Sequence, residues 1–487
     1  MSADRLTALD HSFLLLESNH TPMHVGAVLV LDGERLRDAE GRFRLDDVRQ
    51  HLSDRLHLVP RLRQVVREVP FDLARPVWVD DEDFDLEHHV RLTTLPAPGD
   101  EAALIRLVEE LMMGVLDRSR PLWEWWFVDG LPDGRVALVE KLHHALIDGV
   151  SGVQLTAALT DLGDLMEPTP GPWTPRPAPS TAMLVVDALD ELAREPVRIL
   201  RSIAGLVGGG LGEVRRRSAT LATITRRGTV APPTSLNVPI GTHRTLVPVR
   251  VSLSQVKEVA HAHDAKVNDV LLTMVAGGVR ALLAERGDEL SDRPLHIAVP
   301  ENVRTDAEHL ALGNRVSGFL ASFSPDDAMS PVECLHHLRD EMRARRAEHQ
   351  DEGVSRLLSG LDHLPVALAR LTVPLVHQQP FANMVVTNVP GPREQLTLMG
   401  APIEEILPIV PLAGNLSAGV AVLSYQDQLV LTIHADADAC PDATVMAHGM
   451  AATLDALWAE SLSVQVPAGQ RSRSTSRRRA SSTRLIS

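Results

Sequence analysis

The chain has 487 residues, with 48 Lys+Arg against 64 Asp+Glu for a formal charge of −16, and 44% of it is hydrophobic. That length and composition suit two or three globular domains with sizeable cores. The acidic balance, with only 8 Phe, 6 Trp and 1 Tyr, argues against nucleic acid as the main partner, because phosphate binding needs a broad basic face and base stacking needs aromatics. Two cysteines, Cys334 and Cys440, exclude a disulfide scaffold and a four-cysteine zinc module.

The first 18 residues lack a basic stretch followed by a long apolar one, so no cleaved secretory signal is expected. No uncharged apolar run reaches eighteen residues, which leaves no expected membrane-spanning helix and predicts a soluble or peripheral, cytoplasmic protein. His24–Gly33 (HVGAVLVLDG) is β-rich and closed by a turn signal. Residues 45–62 carry apolar side chains at helical spacing. Residues 100–116 do so again, with Leu104, Leu107, Val108, Leu111 and Met112 on one face. WEWWFVDGLPDGRVALVEKLHH, from Trp123 to His144, predicts a hairpin.

Six prolines in 167–180 form a stiff surface connection, and 181–228 reads as an interrupted helical region. Seven arginines fall between Arg198 and Arg227 against the single acid Glu213. That segment has two readings: a solvated crossover, or an interfacial element that meets anionic lipid. A second α/β region follows, with a helix over 266–285 and strands at LHIAVPENV and NMVVTNV. The Ser/Arg-rich end reads as a disordered tail. The domains are expected at 1–165 and 235–465, with a Pro-rich and basic crossover at 166–234 and the tail at 466–487.

The chemistry concentrates in His143-His144-Ala-Leu-Ile-Asp148-Gly149. Neighbouring strand residues point to opposite faces, so the two histidines cannot do the same job. An imidazole with an unperturbed pKa of about 6.5 is a natural general base at neutral pH. Asp148 would fix the loop or neutralise an arginine, and Gly149 would allow a close backbone approach. Paired histidines before a turn also serve as core or surface residues. A metal reading of His144 and Asp148 needs a helix where the pattern gives strand and loop, and no further ligand stands out nearby. Ser151 lacks a nucleophile-elbow context and reads as a helix cap.

HHALIDG resembles the HHxxxDG signature of CoA-dependent acyltransferases with the chloramphenicol-acetyltransferase-like fold. Five further blocks are similar to the bacterial wax ester synthase/diacylglycerol acyltransferase family: LDHSFLLLESNHTPMHVG, PLWEWWFVDGL, VNDVLLTMVAGGVRALL, VPENVRTD with LGNRVSGFL, and TNVPGP, where Thr387 replaces the usual Ser. The resemblance implies two α/β domains with an active-site tunnel between them. It implies His144 as general base, structural roles for His143 and Asp148, and close packing for Gly149. It also implies acyl-CoA as a substrate rather than a cofactor, with diacylglycerol or a long-chain alcohol as acceptor and no resident cofactor or metal.

Asn268, from the Asn-Asp motif, is the candidate oxyanion donor, with a helix cap as its ordinary alternative, and Asp269 reads as structural. Trp123 is expected either to pack beneath the hairpin or to touch substrate. Asn302 and Arg304 would support the domain interface or meet CoA phosphate, and Asn388–Pro392 would form a rigid turn. Contact with an inner membrane face or lipid droplet is a further expectation. Competing readings are a condensing acyltransferase that uses a carrier-protein thioester, and a non-catalytic lipid-binding protein.

Overall fold

The computed structural model describes residues 4–147, 149–162, 173–193, 230–288, 293–302, 316–325, 329–347, 366, 370, 378–465 and 484–485. Asp148, Arg304 and the arginine-rich 198–227 lie outside them, and Asn302 is described only as the last residue of a strand.

Three sheets organise the chain. A small one has the order β1-β4-β3, from β1 (Asp4–Arg5), β3 (Gln64–Arg67) and β4 (Val77–Asp80). The N-terminal sheet runs β12-β13-β2-β7-β6-β5. Its strands are β2 (His24–Leu31), β5 (Val90–Thr94), β6 (Trp123–Asp129), β7 (Val136–His143), β12 (Thr397–Leu398) and β13 (Ala401–Ile409). The C-terminal sheet runs β10-β9-β11-β14-β15-β8-β16. It is built from β8 (Arg244–Ser252), β9 (Leu295–Asn302), β10 (Val316–Phe323), β11 (Met384–Pro390), β14 (Ala418–Tyr425), β15 (Gln428–Asp436) and β16 (Arg484–Leu485). β12 and β13 come from late in the chain yet complete the N-terminal sheet, with Leu407 opposite Val28 and Ile409 opposite Gly26. The two halves are therefore stitched by backbone hydrogen bonds. Of the Ser/Arg-rich tail, only β16 is described, and it pairs with β8.

Among the described residues the labelled helices are α1 (Ala8–Leu16), α2 (Leu45–Ser53), α3 (Leu86–His89), α4 (Glu101–Met113), α5 (Gly149–Leu159), α6 (Leu253–Ala262), α7 (Val267–Glu285), α8 (Pro331–Ala347) and α9 (Ala443–Gln465), and residues 181–193 are also helical. The helical pattern over 45–62 yields only α2. The backbone then passes into two 3-10 turns, Leu56–Leu58 and Pro60–Arg63. Pro60 lacks an N–H and pushes Val59 out of the helical region, to φ −133°. α4 follows the expected pattern: the Asp100 side chain caps it by accepting from Ala103 N–H at 2.8 Å, and Leu104, Val108 and Met112 are buried. α7 is apolar nearly all round, with a mean hydropathy of 1.5 over eighteen residues. By length and composition it could cross a membrane, but here it is the central helix of the C-terminal core, packed against α9.

Trp123 and Trp125 are both 1% exposed, and Trp123 Nε1 donates to Leu62 O at 2.8 Å. Its ring also stacks on His89, with centroids 4.5 Å apart. Trp123 therefore belongs to the core beneath the hairpin, and substrate contact is not its role. Large aromatics buried this way dominate core energetics.

Candidate active site

α1 begins with a capping box, in which Thr7 Oγ1 accepts from Asp10 N–H at 3.0 Å and Asp10 Oδ2 accepts from Thr7 N–H at 3.3 Å. The helix ends at Glu17, four residues after Phe13, so the two side chains project from one face. Opposite that face, β7 ends at His143, which is in register with His24 of β2. Gly26, further along β2, is required by close approach: a Cβ there would lie 2.0 Å from Glu140 O.

The two histidines part at the end of the strand: His143 is the last residue of β7 and His144 lies in the turn that follows. His143 is fully buried; its Nδ1 accepts from Ala145 N–H at 2.9 Å, and its carbonyl accepts from Leu146 N–H at 2.9 Å. A neutral imidazole that accepts at Nδ1 carries its proton at Nε2, and that nitrogen faces Glu17 Oε1 at 3.2 Å. Burial lowers the His143 pKa, and Glu17 only partly offsets this, which keeps the ring neutral. His144 is half-buried; its N–H donates to Met23 O at 2.7 Å, and its ring stacks on Phe13 with centroids 4.0 Å apart and planes 14° from parallel. One face of α1 thus holds both histidines, Glu17 against the first and Phe13 against the second.

Glu17 also collects His24 and Arg118. His24 Nδ1 donates to Met112 O at 2.9 Å, its Nε2 is 3.5 Å from Glu17 Oε1, and Arg118 Nη2 donates to Glu17 Oε2 at 2.9 Å. Burial pushes the Glu17 pKa up, but His143, His24 and Arg118 outweigh it and hold the carboxyl well below its usual range. Lys141, on the same face of β7 as His143, donates to Gly114 O, and burial lowers its pKa. Glu140, which alternation puts on the other face of β7 from His143, is 3% exposed, and burial raises its pKa to about 8.

α5 starts directly at Gly149, so Ser151 lies inside the helix and is not its cap. The far end of α5 is fastened to the crossover hairpin. Asp161 accepts from Thr397 Oγ1 at 2.6 Å, Met399 N–H at 2.8 Å and Gly400 N–H at 2.7 Å. α5 also packs against β11.

β11 carries Asn388, whose Nδ2 donates to Asn268 Oδ1 at 3.2 Å. Lys266, not Asn268, occupies the N-cap of α7. Asp269 instead closes that end, its Oδ2 accepting from Lys266 N–H at 2.9 Å, which is the structural role expected of it. Asn268 is therefore free of capping duty, and with Oδ1 engaged its NH2 is the end turned away from Asn388. Asn388, Val389 and Pro390 are strand residues, and only Gly391 and Pro392 leave the sheet, so the segment expected as a rigid turn mostly positions a side chain.

Phe13, Glu17, His24 and Arg118 were given no site role from the sequence, and Asn388 was read only as the start of a turn. α1 and TNVPGP were legible only as blocks resembling a family, since their partners lie far away in sequence.

A family model described as wax ester synthase/diacylglycerol acyltransferase catalytic domain matches residues 6–271, and the corresponding C-terminal domain matches 312–457. A probable diacylglycerol O-acyltransferase of Mycobacterium tuberculosis (strain ATCC 25618 / H37Rv) is 32% identical over 452 residues, 92% of this chain and 94% of that protein. The solved wax ester synthase/diacylglycerol acyltransferase of Marinobacter aquaeolei VT8 is 25% identical, with a TM-score of 0.65, covering 94% of this chain and 99% of that one. The first condensation domain of the calcium-dependent antibiotic synthetase shares the two-domain fold at 15% identity and a TM-score of 0.63, covering 95% and 98% of the two chains. With its catalytic and C-terminal domains both matched, this chain is an acyltransferase that belongs to the wax ester synthase/diacylglycerol acyltransferase family.

Proposed function

We propose that the chain transfers the acyl group of a long-chain acyl-CoA to the hydroxyl of diacylglycerol or of a long-chain alcohol, with His144 as general base. His144 takes the hydroxyl proton as the acceptor oxygen attacks the thioester carbon. The C–S bond breaks from the tetrahedral intermediate, and the CoA thiolate recovers the proton from His144. Atoms balance without an acyl-enzyme, a metal or a resident cofactor. The Asn268 NH2 would donate to the oxyanion, an interaction typically worth about 3 kcal/mol. A general base typically adds roughly 10²- to 10⁴-fold, and joint positioning of two bound reactants supplies much of the rest.

The observation that carries this reading is the division of labour between the histidines: His143 is buried with its tautomer set, while His144 is half-buried and held by a stack and a backbone hydrogen bond. The test is release of CoA thiol from palmitoyl-CoA with diacylglycerol, with hexadecanol and with neither, beside His144→Ala. Acceptor-dependent release that His144→Ala abolishes supports the proposal, and the better acceptor names the product. Release that is independent of acceptor, or that survives in His144→Ala, refutes it.

A further inference from the structure

A cavity of about 410 Å³ opens where the end of α5 meets the segment between β11 and β12, within the range of about 300–1,000 Å³ usual for small-molecule sites. Leu162 and Pro392 give it apolar surface, and Arg393, Glu394 and Gln395 expose polar side chains along it. The segment is pinned at both ends. Gly391 N–H donates to Ser424 Oγ at 3.2 Å, Gln426 N–H donates to Pro392 O at 3.1 Å, and Leu396 N–H donates to the Tyr425 hydroxyl at 2.9 Å. A Cβ on Gly391 would lie 2.0 Å from Ser424 O, so glycine is required for that approach. The cavity is therefore held open by the backbone before any ligand arrives.

The charges around it are unevenly engaged. Asp161, which also lines the cavity, accepts from Thr397 Oγ1 and from the N–H groups of Met399 and Gly400. Arg393 is exposed and carries no ion pair among the described residues. Nor does Arg35, which packs over Gly400, with Nη1 3.2 Å from where a Cβ on that glycine would stand. Glu394 is the exposed acid that opposes them. On a chain of net charge −16, unpaired guanidinium groups beside a cavity offset the general repulsion of a polyanion.

α5 and β11 pack together, and each runs from a residue of the acyl-transfer site to this cavity. α5 starts at Gly149, just beyond His144, and its 11 residues advance about 16 Å. β11 carries Asn388, the partner of Asn268, and extended chain from there reaches Pro392 in about 13 Å. The arm between the CoA sulfur and its first phosphorus also spans about 16 Å when extended, at roughly 1.2 Å of advance per bond. We propose that the cavity binds the nucleotide end of the acyl-CoA donor, with Arg393 as its contact to phosphate. This rests on the proposed acyl transfer, in which the thioester lies between His144 and Asn268. The pantetheine arm then follows α5 and β11, and Leu162 and Pro392 face the ribose and adenine.

The experiment uses the full-length protein as wild type, Arg393→Gln and Glu394→Gln. Binding of CoA alone is read by titration calorimetry. Thiol release with hexadecanol is read for palmitoyl-CoA and for palmitoyl-pantetheine, which lacks the nucleotide. Arg393→Gln should weaken CoA binding about tenfold and raise KM for palmitoyl-CoA by the same factor. KM for palmitoyl-pantetheine should move by less than about twofold, so the preference for the nucleotide-bearing donor falls. Glu394→Gln removes the opposing charge and should tighten CoA binding about two- to threefold, both effects fading at high salt. Wild type that binds no CoA, or CoA affinity equal in wild type and Arg393→Gln, overturns the proposal. So does an equal rise in KM for both donors, since Arg393 then only supports the fold. Calorimetry is read without turnover: CoA binding that depends on Arg393, in a protein that releases no thiol, refutes the acyl-transfer reading and leaves the assignment of the cavity standing.

Discussion

Glu17 Oε1 lies 3.2 Å from His143 Nε2, on the face of α1 that also presents Phe13 to His144. Glu17→Gln should cost about 1–2 kcal/mol at neutral pH, because a buried carboxylate that accepts from Arg118 and faces His143 is replaced by a weaker, neutral acceptor, while half-exposed Arg118 stays solvated. The folded pKa of Glu17 is depressed, so the stability it contributes is present above the unfolded value of 4.5 and is lost as pH falls below it. In urea titrations the gap between wild type and Glu17→Gln should therefore shrink below about pH 4.5. A gap that stays constant through that range would show that the charge of Glu17 contributes nothing.

The Phe13 ring holds the His144 imidazole by stacking at 4.0 Å. Such pairs contribute about 0.5–1.5 kcal/mol beyond area burial. Phe13→Leu keeps the apolar volume and loses the stack, so kcat should fall about 2- to 10-fold with KM for acyl-CoA little changed. A rise in KM alone would mean that Phe13 contacts substrate rather than orienting His144, the proposed base.

How far the site was legible depended on the range over which each residue acts. The hairpin from Trp123 to His143 follows from the pattern of one strand pair, which is local, whereas His144 lies in the turn beyond β7 and its separation from His143 is not a matter of strand alternation. The buried Trp123 was legible as a possibility, and its hydrogen bond to Leu62 O settles it. The joining of Glu17 to His143 and of Asn388 to Asn268 spans more than a hundred residues in each case, and no periodicity encodes such a pairing. The crossover of β13 is similarly hidden: Ala401–Ile409 reads as any half-buried strand, and only the pairing of Leu407 with Val28 assigns it to the far sheet. The helix predicted through 62 stops at Ser53, well before Pro60, so the proline explains only why it does not resume, by keeping Val59 out of the helical region.

The Asn388–Asn268 hydrogen bond makes one amide a positioning group for the other. Asn268→Ala should lower kcat by about 10²-fold, as for loss of an oxyanion donor. Asn388→Ala should lower it less, by about 10-fold, because Asn268 remains but is no longer oriented. The double variant should resemble Asn268→Ala alone, since two residues acting as a unit are not additive. Multiplicative losses in steady-state assays would separate their roles.

Glu140 should make the protein less stable as pH rises, the opposite sign to Glu17. Thr156 Oγ1 lies 2.8 Å from Glu140 Oε2 and 3.1 Å from Gly152 O. The threonine hydroxyl donates to Glu140 Oε2, which favours the ionised form, but the buried Oε1 has no hydrogen-bond partner. Burial outweighs the Thr156 hydrogen bond, favours the neutral carboxyl and raises the pKa from 4.5 to about 8. Between those values the folded chain keeps a proton that the unfolded chain releases, so stability falls as pH rises and levels off above 8. At about 1.4 kcal/mol per pKa unit the loss reaches up to about 5 kcal/mol. Glu140→Gln is nearly isosteric, and its amide oxygen can accept from Thr156 in the same way. The variant should match wild type near pH 4.5 and exceed it by a few kcal/mol at pH 8, read as the urea midpoint. A variant no more stable than wild type at pH 8 would mean that Glu140 ionises without cost, and that the buried carboxyl has another source of stabilisation.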